Sequence, residues 1–367
     1  MDNRLSPIPL KGRGAISNPP GRFEATQRHA VDDGWDGGED APPLGTRVTD
    51  EACRSILTAN DSPDLPFERS INPYRGCEHG CVYCFARPSH AYLGLSPGLD
   101  FESRLYAKIH AADVLARELG KPGYRCRPVM LGANTDPYQP IERRRRITRR
   151  ILKVLAAFNH PVAVTTKSRL VTRDLDILSA MAERGLAMVA VSITTFERQL
   201  AGKLEPRAAS PEKRLETIRV LSAAGIPTAV MAAPMIPSLN DAELERILEA
   251  AARAGAVSAS YALLRLPYEL KQLITEWLER HAPGKTDHVL NLLRACHGGK
   301  LYDGDFASRL RGSGIYADLL AERFRLACKR LRLHDVLAGK LDLDCSQFRP
   351  PPVAGQQLAL FSPAPGP

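Results

Sequence analysis

Three cysteines stand in one short loop, Cys77, Cys81 and Cys84, within the run Arg75-Gly-Cys-Glu-His-Gly-Cys-Val-Tyr-Cys-Phe. Soft thiolates suit iron, and a compact run of them can wrap a cubic 4Fe-4S cluster. Three ligands on four irons leave one iron open to an exchangeable molecule, so this C-x3-C-x2-C spacing points to chemistry. Two plainer readings compete with it. A structural zinc site asks for four ligands, commonly as two separated pairs. No second pair follows Cys84 in that register, and His79 would have to crowd into the same loop. Buried free thiols also behave as small hydrophobes, but Gly76 and Gly80 loosen the backbone where a cluster needs close approach. Cys53, Cys126, Cys296, Cys328 and Cys345 are scattered and read as packing residues.

The elements that must carry this loop become legible from Pro128 onward, where short apolar runs alternate with stretches of helix length. The runs are Val129-Met-Leu-Gly-Ala, Pro161-Val-Ala-Val-Thr, Ala187-Met-Val-Ala-Val-Ser-Ile, Pro227-Thr-Ala-Val-Met-Ala and Ala256-Val-Ser-Ala-Ser-Tyr-Ala-Leu-Leu. A further strand near Ser70 to Tyr74, just before the cysteine loop, brings the count to about six strand-helix units. Ser210-Pro211-Glu212 predicts a helix start with a capping serine and proline at the first position, and Asn240-Asp-Ala-Glu243 reads as a capping box. Gly185, Gly225 and Gly255 fall where helices should stop. Repeated units of this kind predict an α/β fold with a parallel sheet and right-handed crossovers, whose sites gather at the carboxyl ends of the strands. Past Leu266 helical patterns take over, from Tyr268 to His281, Asp287 to Cys296 and Tyr316 to Leu331. The predicted organisation is a low-complexity, mostly disordered segment over 1-55, a core over 56-265, a helical extension over 266-348 and a flexible tail over 349-367.

The chain has 367 residues and a net charge of +9, which favours an anionic partner such as nucleic acid. No apolar run reaches the length of a membrane span, and the start Met1-Asp-Asn-Arg lacks the apolar core of a secretory signal. Eight cysteines in a chain this long do not make a disulfide scaffold. A cytoplasmic protein without a membrane partner is therefore expected. The run from Arg143 to Arg150 carries six arginines, and Arg143, Arg144, Arg145 and Arg146 are candidates for phosphate contacts over two helical turns. A solvated helix face with Ile147, Ile151 and Leu152 turned to the core explains the same residues equally well.

With the aromatic Tyr83 before its last cysteine, the motif resembles that of the radical S-adenosylmethionine (SAM) enzymes. The resemblance implies a partial (β/α)6 TIM-like barrel with a C-terminal helical extension. It also implies a 4Fe-4S cluster on Cys77, Cys81 and Cys84, SAM on the open iron, and a reductant such as flavodoxin or ferredoxin. One electron would cleave SAM to methionine and a 5'-deoxyadenosyl radical. Tyr83, Thr135, Asp136, Lys167 and Ser192 are the implied SAM contacts: Thr135 and Asp136 toward the amino group, Lys167 toward the carboxylate, Ser192 toward the ribose. Each has a local alternative, since Asp136-Pro137 suits a turn, Ser168 suits a helix cap and Lys167 can be solvated.

The segments Thr135-Asp-Pro-Tyr-Gln-Pro-Ile-Glu, Val164-Thr-Thr-Lys-Ser, Ala233-Pro-Met-Ile-Pro and Leu264-Arg-Leu-Pro resemble the branch related to spore photoproduct lyase, over roughly residues 68 to 335. That likeness implies repair-type, lyase-like chemistry on DNA. Asn134 stands where the lyases carry a fourth cysteine as hydrogen donor, with Cys126 at the head of the same strand as another candidate. Related chemistry on another substrate is thus expected. Near the end, Gln357, Leu358, Leu360 and Phe361 form a Gln-Leu-x-Leu-Phe peptide between Pro-rich flanks. It resembles the peptide with which bacterial repair proteins dock on the sliding clamp, each apolar side chain gaining about 1.5-3 kcal/mol in a pocket. The alternative is a tail that packs back on its own domain. Two other functions fit the same residues: a non-catalytic DNA-associated iron-sulfur protein, and radical SAM modification of RNA or protein.

Overall fold

The apolar runs assemble into one open, mostly parallel sheet with helices on one face and a cavity on the other. A computed structural model describes residues 9–24 and 44–351. Its strands are β1 (Arg47–Glu51), β2 (Leu57–Ala59), β3 (Arg69–Ile71), β4 (Tyr74–Arg75), β5 (Arg104–Lys108) and β6 (Val129–Leu131). They continue with β7 (Val162–Thr166), β8 (Ala187–Ser192), β9 (Thr228–Met235), β10 (Ser258–Leu263) and β11 (His334–Asp335). The main sheet has the order β11-β10-β9-β8-β7-β6-β3-β2, and β1-β5-β4 form a small second sheet. Every pairing in the main sheet is parallel except that of β2 with β3. The order runs from one edge strand to another, and no closed barrel is formed among the described residues.

The two faces of the sheet follow the pleat. Val129, Leu131, Val162, Val164, Val189, Val191 and Val230 pack on Leu115, Ile151, Leu155, Leu178, Ile218 and Ile247 from the covering helices. Branched side chains fit a pleated, covered surface, and truncating a fully buried leucine such as Leu155 to alanine costs about 2–5 kcal/mol. The alternate residues Met130, Ala163, Thr165, Met188, Ala190, Ser192, Met231, Ala233 and Ser260 line the cavity. Their small size or flexibility leaves room at the centre.

Several local expectations meet their structure here. Helix Pro211–Ala223 begins as the sequence predicts, with Ser210 accepting from the Lys213 amide at 3.4 Å. Gly185, Gly225 and Gly255 have φ of 69°, 74° and 102° after their helices, where glycine carries no Cβ penalty. Asn240 does not form the capping box. Its amide group instead joins strand ends, accepting from the Ile236 amide at 2.6 Å and donating to the Thr194 and Pro234 carbonyls. Glu243 is likewise drawn away, accepting from Thr195 and the Phe196 amide. The single strand expected at Ser70 to Tyr74 is split between β3 and β4, which lie in different sheets. Pro73 between them has no amide to continue a ladder, and Asn72 turns its side chain to the Asn134 amide at 2.8 Å. The arginine run is broken too: Arg146 has φ 50° and separates helix Glu142–Arg145 from helix Ile147–Ala157.

Residues 9–24, expected within an unstructured segment, pack on the core, with Arg13, Ala15 and Ile16 buried. Helices Leu270–His281, Thr286–Cys296 and Ile315–Leu331 follow the sheet, and among the described residues none is long and apolar enough to cross a membrane. The peptide Gln357, Leu358, Leu360 and Phe361 lies outside the described residues.

Candidate active site

The cysteine loop leaves β4 through Gly76, whose φ is 74°; a Cβ there would stand 2.6 Å from Leu105 Cδ2 and 2.8 Å from the Phe101 carbonyl oxygen. Backbone anchors then hold the loop. The Cys77 amide donates to the Phe101 carbonyl at 2.9 Å. Gln139 accepts from the Glu78 amide at 2.8 Å and donates to the Gly76 carbonyl at 3.1 Å, tying the loop to the segment after β6. Arg87, fully buried, donates to the carbonyls of Cys81 at 2.8 Å, Gly80 at 3.2 Å and Gly98 at 2.8 Å, and pairs with the buried Glu102. Glu102 also accepts from the amides of Gly14 at 3.0 Å and Ala15 at 2.8 Å.

The N-terminal segment is thereby strapped across the loop. A Cβ on Gly14 would stand 1.8 Å from the Gly80 oxygen, so only glycine permits the approach. Ala15 and Ile16 pack with Cys81, Val82 and Tyr83 against Leu273, Trp277 and Leu290 of the C-terminal helices. Those helices buttress the cysteine loop, a task their sequence does not disclose.

Cys77, Cys81 and Cys84 line a cavity of about 820 Å³. Burial pushes all three thiols above their ordinary value, and coordination to a metal is what removes the proton from such a thiol. Among the described residues no three histidine, cysteine or carboxylate side chains converge on one ion position; a cubane takes its thiolates on separate irons. Three soft donors facing one large cavity, Cys77 and Cys81 buried and Cys84 half-buried, fit a 4Fe-4S cluster with an open iron.

The remaining candidates surround that cavity at the carboxyl ends of β6 to β8. Asp136 lines it and lies 3.3 Å from His79 Nδ1. It accepts from the Lys167 amide at 2.7 Å, Thr166 Oγ1 at 2.7 Å and, as an Asx turn, the Tyr138 amide at 2.9 Å. Burial works to raise its pKa, but His79 and these donors outweigh it and hold the carboxyl below its ordinary value. Ser168 accepts from the Leu170 amide and caps the following turn. Lys167 lines the cavity with its Nζ 3.9 Å from Glu205 Oε2 and 5.6 Å from the Tyr83 ring centre. Tyr83 is buried and donates to Glu205, with Thr194 Oγ1 at 3.1 Å. Ser192 lines the cavity, and its carbonyl accepts from Arg214 at 3.1 Å.

Thr135 does not line the cavity: its hydroxyl donates to the Tyr74 carbonyl at 2.9 Å. Nor do the four arginines, of which Arg145 pairs with Asp50 at 2.9 Å on the outer surface. Asn134 is at the cavity wall, whereas Cys126 neighbours Cys345 instead.

Sequence reading missed the charges beneath the site. Glu205 is buried, with Arg214 at 2.7 Å and the Cys81 sulfur at 3.9 Å. Burial works to raise its pKa, but Arg214 and Lys167 hold it below the ordinary carboxylate value. Glu102, Arg87, Arg214 and Gln139 were equally invisible, since each finds its partner only across the fold.

The model of the radical SAM superfamily matches residues 71–251. An uncharacterized protein of Mycobacterium tuberculosis is 37% identical over 245 residues, spanning 66% of this chain and 72% of that protein. An uncharacterized protein of Methanocaldococcus jannaschii is 30% identical over 173 residues, 47% of this chain and 62% of its own. Among solved structures, a mutant of spore photoproduct lyase superposes with a TM-score of 0.53 at 17% identity, covering 80% of this chain and 82% of that one. At that identity the likeness is one of fold. The cysteine loop, the parallel sheet that presents it and these matches together make the chain a member of the radical SAM superfamily, whose cofactors are a 4Fe-4S cluster and SAM.

Proposed function

We propose that this protein is an enzyme that reductively cleaves SAM and directs the radical at DNA, in repair-type chemistry akin to a lyase. The observation that carries the reading is one cavity of about 820 Å³ that the three cysteines, Asp136, Lys167 and Ser192 all line. The structural likeness to spore photoproduct lyase, solved in complex with a dinucleoside spore photoproduct, supports the substrate class. Bound there, cluster and SAM supply a 5'-deoxyadenosyl radical after one-electron transfer from a reductant such as flavodoxin or ferredoxin. The chain's own part is position. Asp136 and Lys167 would hold the two ends of the SAM amino acid group and Ser192 the ribose, with Tyr83, held by Glu205, beside them. Met130, Met188 and Met231 keep the floor apolar, which limits water near a radical.

We further infer that β3 and β6 to β10 curve as a partial (β/α)6 barrel around the cavity, as the alternating lining residues favour. Among the described residues only the three loop cysteines line the cavity. A lyase-type hydrogen donor at Asn134 is thus lacking, so the reaction differs from the lyase's in its last hydrogen transfer. The tail peptide at Gln357 to Phe361 would deliver the enzyme to DNA through the sliding clamp.

Anaerobic reconstitution with iron and sulfide, reduction and addition of SAM test the reading. The wild type should release 5'-deoxyadenosine, more so with DNA than with RNA or a protein extract, and a Cys81→Ala variant should release none. A well-formed cluster without product would leave a structural or sensing protein.

A further inference from the structure

At the carboxyl end of β10, beside the residue that follows Cys84, one guanidinium is left without a counter-charge among the described residues. Arg265 lines the cavity, and among the described residues it has no carboxylate partner. Among the described residues its buried Nε has no hydrogen bond, and its side chain has one polar contact, Tyr302 Oη at 3.5 Å. The other arginines of the cavity are neutralised, Arg75 by Glu51 at 2.9 Å and Arg309 by Asp64 at 2.5 Å. Behind it His297 is 2% exposed with neither ring nitrogen partnered. Burial holds that imidazole below its ordinary value, with Arg265 adding to the effect and Asp303 opposing it. Buried donors without acceptors are uncommon in folded proteins, and a ligand is one way to complete them.

The surroundings say which ligand. Arg265 lies over the ring of Phe85, the residue after Cys84, with 5.1 Å to the ring centre. Phe85 is 45% exposed at the cavity mouth, and Tyr92 on the same rim is 71% exposed. Aromatic faces interleaved with cations are what a single strand of nucleic acid uses, bases stacking on rings and phosphates meeting guanidiniums. A planar guanidinium held by stacking suits bidentate contact with a phosphate.

We propose that Arg265 binds a phosphodiester of the substrate strand, seating the nucleotide to be attacked in the cavity while a neighbouring base stacks at Tyr92. The proposal rests on the reading that the substrate is DNA.

Fluorescence anisotropy of the reconstituted holoprotein with a labelled single-stranded oligothymidylate, titrated over a series of KCl concentrations, tests it. Arg265→Gln should weaken binding on the order of tenfold at low salt and reduce the salt slope by about 0.7, one phosphate contact on a single strand. Arg265→Lys should restore the slope but not the full affinity, which also shows that the site still folds. Arg325→Ala, an exposed arginine on the last helix, should change neither. If Arg265→Gln keeps wild-type affinity and slope while the wild type binds the strand, the inference falls and the DNA reading stands. If the wild type releases 5'-deoxyadenosine but does not bind the strand, or binds an acidic peptide in its place, both fall.

Discussion

Two parts of the cavity lining, the cysteine loop with its supports and the corner at Arg265, are built on different terms. Beneath the cysteines the buried charges face opposite charges, Arg87 with Glu102 and Arg214 with Glu205, and Asp136 lies beside His79, although His79 Nδ1 and Glu205 Oε1 lack a well-formed hydrogen bond. At Arg265, among the described residues, no carboxylate balances the guanidinium, and Arg265 Nε and both His297 ring nitrogens lack hydrogen bonds. A cofactor site must be held in one geometry before anything binds, because a misplaced reacting group is costly in rate. A substrate site must leave donors open for a ligand that comes and goes. On the function proposed above, the contrast assigns preorganisation to the cysteine loop and recognition to Arg265.

Breaking the closed side should have the largest effect. Arg87→Met leaves the buried Glu102 without its guanidinium and strips four carbonyls, those of Gly80, Cys81, Pro97 and Gly98, of their donor. We expect a loss of about 3–5 kcal/mol in urea unfolding, together with failure to assemble a stable cluster, read by its visible absorbance. A smaller change would mean that the pair is dispensable and that packing alone holds the loop.

Acid should act far from both parts of the lining. His160, at the amino end of β7, is held neutral with a pKa lowered to about 4 by burial. Since the unfolded chain titrates at the ordinary value, it binds more protons than the folded chain in between. This group's stabilisation is complete above about pH 6.5 and is lost as pH falls to about 4, by up to about 3 kcal/mol. His160→Leu should flatten that limb of a stability-versus-pH curve, leaving the cavity contrast intact; an unchanged slope would move the acid response to another group.

The strap gives an intermediate test. Gly14→Val forces a side chain against the Gly80 carbonyl, costing about 1–3 kcal/mol as overpacking does. The reconstituted cluster should bleach several-fold faster in air, because the segment that covers its loop is displaced. Equal bleaching rates would show that the helices alone seal the loop. The smallest stability effect belongs to the open side: Arg265→Gln should leave the urea midpoint within about 0.5 kcal/mol of wild type, or raise it if removing an unpartnered buried donor relieves the site. A large loss of stability would instead mark Arg265 as part of the closed framework.

Much of this was legible along the chain. The cysteine spacing, the alternating runs that became β6 to β10, the Ser210 cap and the stopping glycines each depend on residues a few positions apart, and local chemistry decides them. Misreadings arose where a residue had a distant competitor for its side chain. Asn240 and Glu243 have the spacing of a capping box, yet their hydrogen bonds go to Thr194, Thr195 and Phe196. Residues 9–24 look featureless, yet their backbone amides complete a carboxylate 88 positions later in the chain.

By itself the sequence determined the metal-binding chemistry, the parallel α/β architecture and a basic balance that favours an anionic partner. Thiolate spacing, hydrophobic period and net charge do not depend on how the chain closes. Only the tertiary structure decided which charges are satisfied and which are left waiting. Tyr83 meets Glu205 across 122 positions, and among the described residues Arg265 meets no carboxylate. A pairing of that range is settled by folding, which brings some carboxylates to their arginines and leaves one guanidinium facing the cavity.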